Sequence, residues 1–117
     1  MAVSEGAIAF VLDQLAGLGD VRPRRMFGGV GLYCAERFFA LIDDGILYLK
    51  VDDTTRARYT RRRLKPFAPS GMPSMSYYPV PPSILEDADA LVVWAREAVG
   101  VAARAATAKP AKRRSVR

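Results

Sequence analysis

"GVGLYCAERFFALIDDGILYLKVDD", residues 29–53, decides the fold. Apolar and other residues alternate here with a period of two, which is the repeat of a half-buried β-strand. Val30, Leu32 and Cys34 oppose Gly31 and Tyr33; Phe38, Ala40 and Ile42 then oppose Phe39, Leu41 and Asp43. Leu47, Leu49 and Val51 form one face of the next run, with Tyr48 and Lys50 on the other. Asp44-Gly45 supplies the positive φ angles of a type I′ hairpin turn, and "CAER" (34–37) is read as the tight turn before it. These signals predict an antiparallel meander of three or four strands.

Upstream, Ser4 is placed to cap a helix, because Ile8, Val11, Leu12 and Leu15 follow at the spacing of one helical face. Gly17, Gly19 and Asp20 stop it. Downstream, Asp52 or Asp53 caps a short helix reaching about Arg63, and "KPFAPSGMPSM" (65–75) reads as a loop. "MSYY" (75–78) has the aromatic content of a last strand, and "PVPPS" (79–83) ends it. Ser83 with Glu86 fits a capping box, with Asp87 as a second cap, before a helix whose apolar face is Leu91, Trp94, Ala95 and Ala98 and which reaches about Arg104. The expected class is α+β: an antiparallel sheet of about four to five strands flanked by N- and C-terminal helices.

The 117 residues suffice for one domain with one core. The net charge of +6 is misleading about where a partner would sit. Lys109, Lys112, Arg113, Arg114 and Arg117 fall in the last ten residues, and without them 13 basic residues face 12 acidic ones. The expectation is therefore a nearly neutral domain over 1–107 and a disordered basic tail over 108–117. No apolar run approaches the roughly 18 residues of a membrane span. The N-terminus lacks a basic segment ahead of an apolar one, and there is a single cysteine. A cytoplasmic protein without membrane contact is expected.

Chemistry is sparse. With no histidine, Ser-His and Cys-His pairs are excluded, and one cysteine excludes thiolate zinc sites. Asp43-Asp44 and Asp52-Asp53 bracket a strand as turn and cap residues, and Glu86, Asp87 and Asp89 complement a helix dipole. No catalytic residue, metal or cofactor is expected. Cys34 is read as a buried cysteine on an alternating strand, with a redox-sensitive thiol beside Arg37 as the competing reading. The glycines in "RRMFGGVGLY" (24–33) fail both the dinucleotide and the P-loop spacing, so a strand bend or bulge is favoured over an anion cradle.

Five blocks in order resemble the TfoX/Sxy N-terminal domain family: "RRMFGGVGLY" (24–33), "FALIDDGILYLKVD" (39–52), "PF" (66–67), "MSYYPVP" (75–81) and "LEDADALVVWAREA" (85–98). The resemblance implies a small fold similar to secretion chaperones, without catalytic residues. In the best-known members of that family the domain precedes a second one, and the protein promotes expression of DNA-uptake genes. Here a basic tail follows, so a stand-alone domain is expected.

Two functions are carried forward. The first is a non-enzymatic regulatory module, linked to transcription or competence, that binds a protein partner such as a transcription component. Its surface is Arg24, Arg25, Tyr33, Tyr48, Lys50, Tyr77 and Tyr78, since arginine and tyrosine are favoured at binding hot spots. A homodimer is compatible with this reading. The second is non-specific nucleic-acid binding through Arg61, Arg62, Arg63 and Lys65 with Lys112, Arg113 and Arg114, near the rings of Tyr59 and Phe67.

Overall fold

The computed structural model describes residues 4–26 and 28–115, and their side chains except at 70 and 107–115. Helix α1 (Glu5–Gln14) starts where expected, with the Ser4 hydroxyl accepting from the Ala7 amide at 3.1 Å. A short 3₁₀ turn follows at Ala16–Leu18. The sheet is a five-stranded antiparallel meander in sequence order: β1 (Val21–Met26), β2 (Gly29–Cys34), β3 (Arg37–Asp43), β4 (Ile46–Lys50) and β5 (Tyr77–Pro79). Between β4 and β5 lie the single turn α2 (Ala57–Thr60) and the proline-rich loop; α3 (Pro82–Leu85) and α4 (Ala88–Ser115) complete the chain. The α+β arrangement, with helices at both ends, is as the sequence predicts.

Turn chemistry explains most of the connections. Asp44 and Gly45 adopt φ of 52° and 77°, as a type I′ turn requires. Ala35 and Glu36 do the same at 52° and 63° without a glycine, so this hairpin carries some left-handed strain. Asp52 accepts from the Thr54 amide and hydroxyl, which turns the chain toward α2. The turn that follows α2 closes on Arg63 at φ 62°; Leu64 N–H reaches the Tyr59 carbonyl and Arg63 N–H the Thr60 carbonyl, the two bonds of a Schellman motif.

Three expectations need correction. The capping box at Ser83 does not form: Pro82–Leu85 is a separate turn, and Asp87 caps α4 by accepting from Ala90 N–H at 3.2 Å. The Ala-rich stretch after Gly100 favours continuation, so α4 passes Arg104. The alternation in β3 breaks at Phe38–Phe39, because Leu32 pairs with Ala40 while Tyr33 pairs with Phe38. The resulting bulge adds one residue and sends Phe39 into the core beside Ala40 and Ile42, leaving Phe38 with Leu41 on the other face. The expected disordered tail, 108–117, falls where side chains lie outside those described.

One core lies between the helices and one face of the sheet. Val30, Leu32, Phe39, Ala40, Ile42, Leu47, Leu49 and Tyr78 meet Ile8, Val11, Leu15, Leu91, Trp94, Ala95 and Ala98 there. Tyr59 seals one end, packed edge-on to Trp94 at 5.1 Å and against Tyr78 at 5.7 Å. Such pairs add about 0.5–1.5 kcal/mol each beyond the area they bury. Among the described residues, no helix is long and apolar enough to cross a membrane.

Candidate functional site

The helices cover one face of the sheet, and the other face has a defined composition. Strand register places Arg22, Arg24 and Met26 of β1 across from Tyr33, Gly31 and Gly29 of β2. Leu41 and Asp43 of β3 pair with Tyr48 and Ile46 of β4; Tyr48 and Lys50 pair with Pro79 and Tyr77 of β5. Side-chain contacts confirm the shared face. Tyr33 and Phe38 rings lie 5.2 Å apart, Phe38 and Tyr77 5.9 Å apart, and Lys50 Nζ sits 4.9 Å from the Tyr77 ring centre. The loop after α2 folds back over the edge, where Phe67 N–H bonds the Tyr77 carbonyl and its ring packs 4.8 Å from Tyr48.

The glycines shape this face. A β-carbon on Gly31 would lie 2.7 Å from Phe38 Cε1 and 2.9 Å from Met26 Cε, so these two side chains converge over bare backbone. On Gly29 it would lie 2.7 Å from the Ile42 carbonyl oxygen. Gly28 has φ 80° at the β1–β2 connection. The bulge lies in β3 and not at the glycines, which serve one turn and two close approaches. Around them Met26, Gly29, Phe38, Leu41, Phe67 and Pro69 line a mostly apolar pocket of about 340 Å³ with Asp43 at its edge. A second, open cleft of about 620 Å³ is lined by Arg22, Pro23, Arg24 and Tyr33 with Asp20, Ala35 and Glu36.

Of the seven residues predicted for a binding surface, Arg24, Tyr33, Tyr48, Lys50 and Tyr77 lie together on this face. Arg25 does not. It points to the helical side, where its guanidinium donates to Glu5 at 2.7 Å. Tyr78 is a correction: one residue out of phase with Tyr77, it is only 2% exposed and belongs to the core. Burial raises the Tyr77 phenol pKa to about 12, with Tyr33 as a smaller cause. Tyr48 is also pushed up, chiefly by burial and then by Asp43 and Asp44. Both rings therefore stay neutral at physiological pH and present donor hydroxyls.

Arg61, Arg62, Arg63 and Lys65 are exposed, and Arg62 is on the helical side of the sheet. Arg62 lies 5.2 Å from the Trp94 ring centre, next to Arg58, which forms two hydrogen bonds with Glu97. Tyr59 is buried and Phe67 is packed on Tyr48, so neither ring is an open base-stacking platform beside this run. Lys112, Arg113 and Arg114 lie outside the described side chains. Cys34 is half-buried where the sequence predicts full burial, because it ends β2 beside the Ala35–Glu36 turn, and it is unpaired by disulfide. Sequence reasoning missed Arg22, Met26 and Phe38, and it assigned Phe67 to the basic run instead of this face. The period-two pattern extended upstream to Val21 would have found Arg22 and Met26.

The fold is a small α+β domain whose helices cover one sheet face and whose other face carries the aromatic and basic side chains described above. The TfoX N-terminal domain model matches residues 13–102, and the chain belongs to that family. A comparison with curated proteins gave no match.

Proposed function

We propose that this domain is a non-enzymatic regulatory module, linked to transcription or competence, that binds a protein partner through the outer face of its sheet. Membership of the TfoX N-terminal domain family supports a competence-related regulatory role. The observation that carries the binding assignment is the cluster on that face. Tyr33, Phe38, Tyr48, Phe67 and Tyr77 gather there with Arg22, Arg24 and Lys50, beside an apolar pocket, with no helix over them among the described residues. Aromatic and arginine side chains around an apolar recess are the composition of interface hot spots.

The test is affinity capture from cell lysate with the wild-type chain, with Arg24→Glu plus Tyr33→Ala, and with Arg61→Glu plus Arg63→Glu. The first pair should lose the captured protein while the circular-dichroism spectrum stays native; the second should keep it. Capture unchanged by the first pair sinks the proposal. The alternative, nucleic-acid binding by the Arg61–Lys65 run and the tail, is favoured only by the lack of ion pairs to Arg61, Arg63 and Lys65 among the described residues. It predicts affinity that falls steeply with salt and collapses in the second pair.

A further inference from the structure

We propose that the outer face docks an extended acidic segment of the partner, in which an apolar anchor is followed at every second residue by a carboxylate. This rests on the protein-binding reading above and specifies the chemistry of the partner. Two adjoining features carry it. The first is the apolar pocket, lined by Met26, Phe38 and Phe67 with Gly29, where Met26 and Phe38 close over Gly31 because it carries no side chain. At about 340 Å³ it is at the small end of ligand sites, which span about 300–1,000 Å³, and suits a side chain more than a cofactor.

The second feature is the arginine row on β1. Arg24 is exposed and forms no ion pair among the described residues. Arg22 pairs with Asp20 at 3.1 Å, but both side chains are more than three-quarters exposed, so a better-placed carboxylate can replace that pairing. Met26, Arg24 and Arg22 follow at alternate positions of one strand, about 6.6–6.8 Å apart. An extended peptide repeats its own side chains at the same interval. One laid along β1 with its anchor at Met26 thus brings successive same-face carboxylates to Arg24 and Arg22.

Charge sets the direction. Asp43 lines the pocket and Asp44 lies in the adjoining β3–β4 turn, so acidic residues on that side of the anchor are repelled, whereas at the other end Asp20 and Glu36 share their cleft with Arg22 and Arg24, which offset them. A second copy of the chain is disfavoured, because its β1 would bring the same arginines against these. Single-stranded nucleic acid is disfavoured by the rings themselves. Tyr33, Phe38 and Tyr77 tilt 34° and 48° against one another and pack on their neighbours, leaving no row of open ring faces, and Asp43 would oppose phosphates.

The probes are three synthetic peptides and an oligothymidylate, titrated into the full-length ¹⁵N-labelled chain while amide shifts are followed. One peptide has leucine followed by glutamates at alternate positions; in the second the glutamates are lysines, and in the third the leucine is serine. Saturable shifts at Met26, Gly29, Gly31 and Leu41 are expected with the first, about tenfold or more weaker with either control and with Arg24→Glu. Equal binding of the lysine peptide overturns the acidic assignment yet leaves a protein-binding face. Absence of shifts with every peptide, while lysate capture still depends on Arg24 and Tyr33, overturns this proposal alone. Preferential shifts with oligothymidylate, or peptide-free shifts that grow with protein concentration, assign the face to nucleic acid or to a second copy and overturn it.

Discussion

Gly29→Ala tests the geometry on which the outer face depends. The new methyl would sit 2.7 Å from the Ile42 carbonyl oxygen and 3.5 Å from Asp43 Oδ1. The nearer atom is backbone inside the β2–β3 ladder, where Val30 pairs with Ile42, so it cannot rotate away. Reaching an ordinary 3.4 Å contact requires the strands to part by about 0.7 Å. Overpacking of this kind costs about 1–3 kcal/mol, and the loss of glycine's freedom in the unfolded chain returns about 0.4–1 kcal/mol. The net expectation is a loss of about 1–2 kcal/mol. In Gly31→Ala the crowded atoms are in side chains and not in backbone: Met26 Cε, the end of a flexible chain, and Phe38 Cε1, whose ring can shift by a few tenths of an ångström against Tyr33 and Tyr77. That variant should lose less than about 1 kcal/mol while disturbing the pocket walls. Urea unfolding of both variants, with unchanged m values, gives the comparison. Gly29→Ala as stable as wild type, or less damaged than Gly31→Ala, would refute the close-approach argument.

Further outcomes follow from the same geometry. Tyr78→Ala should cost about 3–5 kcal/mol, whereas Tyr33→Ala on the outer face should cost about 1 kcal/mol or less; equal losses in chemical denaturation would contradict the assigned faces. Arg63→Gly removes a left-handed arginine at the end of α2 and should raise thermal stability by about 0.5–1 kcal/mol, a rise of a few degrees in Tm; a lower Tm would mean that its side chain contributes more than its backbone costs. Asp52 has its pKa lowered to about 2, first by the Thr54 hydroxyl and then by Arg104, against 3.8 unfolded. Its stabilisation is complete above about pH 4 and is lost as pH falls toward about 2, amounting to about 1 kcal/mol after allowance for solvent screening. Asp52→Asn should therefore flatten that limb of the Tm-versus-pH curve; an unchanged limb would show that other carboxylates produce it.

The difference between what was legible in the sequence and what was not comes down to how locally each feature is encoded. Ser4, Asp44-Gly45 and the Leu91, Trp94, Ala95, Ala98 stripe act through neighbours a few residues away, so their residue types alone predicted α1, the β3–β4 turn and the buried face of α4. Alternation likewise put Tyr33, Tyr48 and Lys50 on one face. It failed at Tyr78, where the strand begins at Tyr77 and "MSYY" offers two adjacent rings with nothing local to choose between them. It failed again at Phe38-Phe39. Both are phenylalanine, so either can fill the core equally well, and only the pairing of β3 with β2 decides which one does. That pairing is non-local, and its result is consequential. The bulge turns Phe38 outward onto the bare backbone of Gly31, where it becomes a wall of the pocket next to Arg24. The glycines that failed every phosphate-loop pattern thus bear on function by the close approaches they permit, and the charge beside them favours a partner that brings both an apolar side chain and a carboxylate.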